Sequence, residues 1–265
     1  MDASATAVAQ PQPAHSAPAW PQAIAVLIPV YNHARTVCAV AEALRELGAS
    51  VLVVDDGSTD HSGTSASAAG FEVITLPQNQ GKAAALRAGM EALAERGHQQ
   101  VLTIDADGQQ PTAEALKLAL AASECPRALY IGCRDMRGKP FISRLGRFLS
   151  NSWSWLACGT WLGDSQSGLR VYPLPHTTRL DAPADRYAFE IEVLVRAAWA
   201  GIAVHRVEVS VLYPEDRVSH FNKFADNIRG GLVLSRLCLR RLWPFGKRPA
   251  LEDSSSARPA TSHGE

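Results

Sequence analysis

Short apolar runs broken by polar turns repeat along the first half of the chain. Residues 23–28 form an aliphatic run ended by Pro29-Val30-Tyr31-Asn32. Residues 50–54 form a second, closing on Asp55-Asp56-Gly57-Ser58-Thr59-Asp60. Residues 72–76 form a third, followed by Gln78-Asn79-Gln80-Gly81-Lys82, and residues 101–104 a fourth, stopping at Asp105-Ala106-Asp107-Gly108-Gln109-Gln110. Between these runs the period changes. Val37, Val40, Ala41, Leu44 and Leu47 fall at helical spacing with Gly48 as the stop, and Leu86, Met90 and Leu93 mark a helix from about Lys82 to Arg96. Aliphatic runs without alternation suit strands buried on both faces. Strands alternating with helices predict an α/β fold, a mostly parallel doubly wound central sheet flanked by helices.

The second half is less regular. Residues 128–133 read as a strand, and residues 141–161 mix Phe148, Trp153, Trp155 and Trp161 with Arg144 and Arg147. Aromatic and basic residues on one helix suit a bilayer surface, and they equally suit a core helix with a basic edge. A polar loop from Asp164 runs through Arg170 into a strand at Tyr172, and residues 189–200 form a helix carrying Glu190 and Glu192. Residues 204–213 alternate like a strand, and residues 214–221 form a loop holding Arg217 and Ser219. Residues 227–245 are apolar with Arg229, Arg236, Arg240 and Arg241, which reads as a basic amphipathic, membrane-surface helix. The expected organisation is a disordered leader over 1–22, an α/β domain over 23–225, the basic helix over 226–248 and a disordered tail over 249–265.

Composition narrows the partners. The 265 residues are 46% hydrophobic and 20% charged, with formal net charge zero, so no global charge points to nucleic acid. Five scattered cysteines without Cys-x-x-Cys spacing argue against zinc and a disulfide framework, and fit a reducing cytoplasm. The first 22 residues lack the charged and apolar regions of a signal peptide. No apolar run approaches the length of a bilayer span, so membrane contact is expected to be peripheral.

The chemistry concentrates where the strands end, which in open α/β sheets is where ligands bind. Asp105 and Asp107 can reach the same side as the chain leaves the fourth strand, and two such carboxylates repel unless a positive group lies between them. A hard divalent cation supplies this through oxygen ligands and leaves positions for substrate phosphates. The plain alternative is a turn, since Asp and Gly are common turn formers. Lys82 begins a helix whose amides favour an anion; a solvated first-turn lysine is the bland reading. No Gly-x-Gly-x-x-Gly follows the first strand, which excludes a dinucleotide-binding unit.

Taken together, Pro29-Val30-Tyr31-Asn32, Val54 to Asp60, Asn79-Gln80-Gly81-Lys82 and Asp105-Ala106-Asp107-Gly108-Gln109 resemble, in order and spacing, the motifs of glycosyltransferase family 2, which has the GT-A fold. The resemblance covers about residues 24–241. It lies nearest the branch typified by dolichyl-phosphate mannose synthase, which transfers a sugar from a nucleotide-sugar to a polyprenyl phosphate. It implies that Pro29, Tyr31, Asn32 and Asp55 bind the donor's nucleoside, with Asp56 beside them and Lys82 near the diphosphate. Asp105, Asp107 and Gln109 would hold the donor and Mg²⁺ or Mn²⁺. Arg170 and Arg217 would face phosphates, with Ser219 beside them and Arg144 also on the acceptor side. Two departures stand out: His33 where many relatives have Glu, and Ser219-His220-Phe221 where many polyprenyl-phosphate enzymes carry a Ser-Lys pair.

The resemblance implies an inverting displacement in which the metal neutralises the leaving diphosphate. A phosphate acceptor arrives anionic and needs no general base; a hydroxyl on a glycolipid or envelope lipid needs one, and Asp164 is the candidate. Asp164 as a turn cap and Arg170 as a structural salt-bridge partner are the alternatives. A sugar-1-phosphate nucleotidyltransferase would want a Gly- and Arg-rich loop after the first strand, where Pro29-Val30-Tyr31-Asn32 stands. A catalytically silent docking module would be free to lose Asp105, Asp107 and Lys82. The expected location is cytoplasmic, peripheral on the inner face of the cytoplasmic membrane.

Overall fold

The computed structural model describes residues 19–135, 141–212 and 223–242. Its centre is β1 (Ile24–Val30), every residue of which is buried. Parallel neighbours flank it: β2 (Val51–Asp55), then β3 (Glu72–Thr75) on one side, and β4 (Gln100–Thr103) on the other. Beyond β4 lie β6 (Arg170–Pro173), β5 (Leu129–Arg134) and β7 (Val204–Val209), giving the order β3-β2-β1-β4-β6-β5-β7. Only β6 runs antiparallel to its neighbours among the described strands. The expected mostly parallel α/β sheet is the one found.

Alternation along β1 explains how both faces are closed. Ile24, Val26 and Ile28 join a core with Val37, Val40 and Leu44 of α1 (Val37–Glu46) and Leu118 of α4 (Thr112–Ser123). Ala25 and Leu27 point the other way, onto Leu86, Met90 and Leu93 of α3 (Lys82–Glu95) and Phe189, Val193 and Leu194 of α7 (Arg186–Trp199). A third cluster joins Ala157 of α5 (Phe141–Cys158), Ile191 and Val195 of α7, and Leu234, Leu237 and Cys238 of α8 (Lys223–Leu242). The basic C-terminal helix is therefore packed onto the domain, not a separate unit beside it.

Two boundaries and two helices differ from the sequence pattern. Trp20, inside the expected leader, is buried in the core and donates its indole N–H to Ile24 O at 2.7 Å. The expected helix over 226–248 begins earlier, at Lys223, and residues after 242 lie outside those described. Neither α2 (Ser62–Ala68) nor α4 is marked by a clean apolar stripe: α2 is small and polar, and α4 is mostly alanine and leucine on more than one side. Both form because the sheet face beneath them must be covered.

Candidate active site

β1, β2 and β4 run parallel and in register, with Val30 beside Asp55 and Leu27 beside Thr103, so their carboxyl ends emerge together. The turns that follow, with the start of α3, wall a cavity of about 810 Å³. Pro29, Tyr31, Asp56, Lys82, Asp105, Asp107 and Gln109 line it, all of them expected from the sequence.

Asn32 and Asp55 do not line it. Asn32 takes a left-handed backbone (φ 55°) and its side-chain oxygen accepts the Thr59 N–H at 2.8 Å. Asp55 accepts the Ser58 N–H at 3.0 Å and lies against Gly63 of α2, where a Cβ would strike its carboxylate. Asn32 thus ties the loop after β1 to the loop after β2, and Asp55 braces the second loop and α2. Asp56 is the neighbour that turns inward, which reverses the expected priority of the pair. Its oxygens accept the Gln80 N–H at 2.7 Å and the Gly81 N–H at 2.8 Å, tying β2 to the start of α3. Burial raises its pKa against the pull of those two amides.

The acidic pair after β4 is unequal. Lys82 Nζ lies 2.6 Å from Asp105 Oδ1 and 3.2 Å from Glu190 Oε1, so the lysine is embedded among carboxylates. Burial pushes Asp105 up, but the ammonium beside it wins and holds it below the ordinary carboxylate range. Among the described residues Asp107 has no ion pair, and the Lys82 charge acts on it only as a lesser influence. Its oxygens accept the Gln109 N–H at 2.9 Å and the Gln109 side-chain amide at 2.7 Å, while burial and then the Asp105 charge raise its pKa. A carboxylate whose close charged neighbour is another carboxylate favours a cation. The donors gathered here are two carboxylates and an amide, the oxygen chemistry of a hard divalent ion. Among the described residues no three His, Cys, Asp or Glu side chains close around one point. Gly168 closes the far side of Asp105, where a Cβ would collide with its carboxylate, and Thr103 Oγ1 donates to Gly168 O at 3.0 Å.

Asp164 and Arg170 are placed differently from what the sequence led us to expect. Asp164 is fully buried, and its carboxylate takes Arg134 Nε at 2.7 Å, Arg134 Nη2 at 2.9 Å and Arg147 Nη1 at 3.1 Å. Burial alone would raise its pKa; the two guanidiniums lower it instead. A general base needs access and a pKa near working pH, and this carboxylate has neither. Arg170 is also fully buried and gives its N–H groups to Ser167 O, Glu190 O and Ser165 O at 2.7, 2.6 and 2.8 Å. It holds the loop after α5 in place and does not face the cavity. Arg144 is exposed on the side of α5 turned away from the cavity, beside Arg147, Phe148 and Trp161; Gly146, Ser150 and Trp153 form the lining face. Arg217 and Ser219 lie outside the described residues.

Three lining residues carry chemistry that the sequence did not single out as site residues: Arg134, Arg186 and Glu190. Arg134 ends β5. The rule that ligands gather at strand ends would have found it.

The residue pattern described as Glycosyl transferase family 2 matches residues 25–151. Glycosyltransferase AglJ of Haloferax volcanii is 31% identical over 226 residues, 83% of this chain and 72% of that protein. Polyprenol monophosphomannose synthase of Mycolicibacterium smegmatis is 28% identical over 220 residues, 77% of this chain and 82% of that one. Among solved structures, glucosyl-3-phosphoglycerate synthase of Mycobacterium tuberculosis, in complex with Mn²⁺, UDP-glucose and phosphoglyceric acid, superposes with a TM-score of 0.63. It is 22% identical, over 84% of this chain and 86% of that one.

Proposed function

This chain belongs to glycosyltransferase family 2, and we propose that it moves a hexose from a nucleoside-diphosphate sugar to a polyprenyl phosphate at a membrane surface. The observation that carries this is the unequal carboxylate pair: Asp105 neutralised by Lys82, Asp107 left in want of a positive partner. Asp107 and Gln109, with Asp105 behind them, would hold Mg²⁺ or Mn²⁺. Bound there, the ion supplies charge neutralisation to the leaving diphosphate. Pro29, Tyr31 and Asp56 form the nucleoside end of the same cavity. The solved relative with Mn²⁺ and UDP-glucose supports that arrangement by its fold.

The phosphate acceptor is supported by what the described carboxylates can do with a proton. Asp164 is inaccessible, and Glu190, 5% exposed, is held by Lys82 at 3.2 Å, so neither carboxylate is free to deprotonate a hydroxyl. A phosphate monoester needs no base, and Arg134, its guanidinium braced by Asp164, puts positive charge on the cavity wall. The mycolicibacterial relative named for polyprenol monophosphomannose synthesis supports the lipid. So does the position of the cavity between α5 and α8, whose outward faces expose Trp155, Leu232 and Leu239. Among the described residues no helix is long and apolar enough to cross a membrane. The contact proposed is through those two faces, on the cytoplasmic side.

Purified protein, radiolabelled UDP- and GDP-hexoses, Mg²⁺ or Mn²⁺ and either undecaprenyl phosphate or undecaprenol test this. Label is expected in the organic phase with the phosphate lipid alone, with Asp107→Asn lowering the rate by about 10²-fold or more. Label confined to water for every donor overturns the reading; label on undecaprenol overturns the phosphate acceptor.

A further inference from the structure

Three non-glycine residues among those described have a left-handed backbone: Asn32, His61 and Arg186, with φ of 55°, 68° and 53°. Asparagine and histidine visit this region more readily than most residues, whereas a long unbranched cation has no intrinsic reason to. Arg186 stands where α7 begins, and the segment before it is clamped. Arg87 Nη2 donates to Ala182 O at 2.7 Å and Ala184 O at 2.5 Å, with its guanidinium 4.6 Å over the Phe189 ring. The Ala184 N–H donates to buried Glu192 at 2.7 Å, and Glu192 is fixed by Arg196 at 2.8 Å. Sugar transfer gives Arg87, Glu192 and Arg196 no other task. Their joint effect is to force the chain into α7 through a strained residue, and such strain persists only where the surroundings impose it.

The result is the position of the Arg186 side chain. It lines the cavity and lies across Gly81, where an added Cβ would come within 2.9 Å of Arg186 Cγ. Gly81 immediately precedes α3, so the guanidinium stem crosses the positive end of a helix, one residue from Lys82. A cation is unfavourable there unless an anion joins it. Lys82 is already paired with Asp105 and Glu190. Arg186 has no hydrogen bond or ion pair of its own among the described residues. Its charge acts on Asp56, but that carboxylate is bound by the Gln80 and Gly81 amides.

We infer that Arg186 is a donor-binding residue whose guanidinium fork takes the diphosphate of the nucleotide-sugar at the start of α3, distinguishing a nucleoside diphosphate from a monophosphate. The inference rests on the transferase reading above and adds a residue to it. A planar fork suits two phosphate oxygens at once, which a lysine cannot reproduce.

Calorimetric titration of UDP, GDP and the two monophosphates in Mn²⁺ buffer tests this on the parent, Arg186→Gly and Arg186→Asn. Glycine and asparagine both accept a positive φ, so each variant is expected to melt no lower than the parent. Diphosphate affinity is expected to fall about 10- to 100-fold in both, monophosphate affinity less than threefold, with the donor KM rising more than kcat falls. Folded variants that keep diphosphate affinity within twofold overturn the assignment. Equal loss of mono- and diphosphate overturns it too, since that marks a structural role. A parent that takes up neither diphosphate overturns the transferase reading along with it.

Discussion

Asp164 shows how a single carboxylate can be indispensable without touching substrate. It is fully buried between Arg134, which lines the cavity, and Arg147 of α5. Removing one partner of a buried ion pair leaves the other charges uncompensated, at a cost of about 3–5 kcal/mol. Asp164→Asn is therefore expected to unfold at lower urea than the parent at pH 7. The pH dependence follows from the depressed pKa: stability from this group is complete above its ordinary value of 3.8 and is lost as pH falls from there through the folded value. The gap between parent and variant should narrow when urea melts are repeated at a pH below 3.8. A gap of equal size at both pH values would mean the ion pair is not its source. Gly168 belongs to the same scale, since the Asp105 carboxylate fills the space any side chain there would need.

At the scale of elements, α5 and α8 carry apolar residues on both faces. Inward, Ala157, Leu234, Leu237 and Cys238 are buried with α7. Outward, Phe148, Leu149, Trp155, Leu232 and Leu239 are each about half exposed or more. Isolated exposed apolar side chains are ordinary, whereas several on two packed helices would suit an interaction surface. Burying one such side chain is worth about 1.5–3 kcal/mol. Trp155→Ser with Leu239→Ser should therefore weaken binding to phosphatidylglycerol vesicles at least about tenfold, measured by sedimentation with the circular dichroism spectrum unchanged. Arg240 and Arg241 in the last turn of α8 add a contribution that salt should screen. Vesicle binding unaffected by the paired substitution would separate these helices from the membrane.

At the scale of the whole molecule, the cavity draws its walls from both halves of the chain. The turns after β1, β2 and β4 meet Arg134 from β5, Glu190 from α7 and the inner faces of α5 and α8. A ligand filling it touches elements from both halves at once. UDP or GDP at about 100 times its Kd, with Mn²⁺, should stabilise the fold by about 2.7 kcal/mol and raise Tm by roughly 5–10 °C. Added chelator should remove most of the shift. A diphosphate-induced shift that survives chelation would argue that Lys82 and the amides of α3 hold the phosphates without a metal.

Period and punctuation alone determined much of this protein. Unbroken aliphatic runs specify buried strands, helical spacing specifies their crossovers, and together they put four polar turns at one edge of a sheet. Lys82, Asp105 and Asp107 were legible for that reason, since each stands where an element begins or has just ended; Pro29, Tyr31 and Gln109 came from the family resemblance of the turns around them. Other assignments depended on which way a side chain turns once neighbours are present. Asp55 and Asp56 are adjacent and chemically identical, and only the packing of α2 against one and the Gln80 and Gly81 amides against the other tell them apart. Asp164 and Arg170 read as reactive loop residues, yet the fold buries both and surrounds them with partners from α5, β5 and α7. The left-handed turn that lays Arg186 across Gly81 is imposed by contacts from residues as far apart in sequence as Arg87 and Glu192. Local pattern fixes which elements form, because hydrophobic burial acts on every residue of a run. Only tertiary contact decides which charges meet, because a charge seeks its partner across the chain.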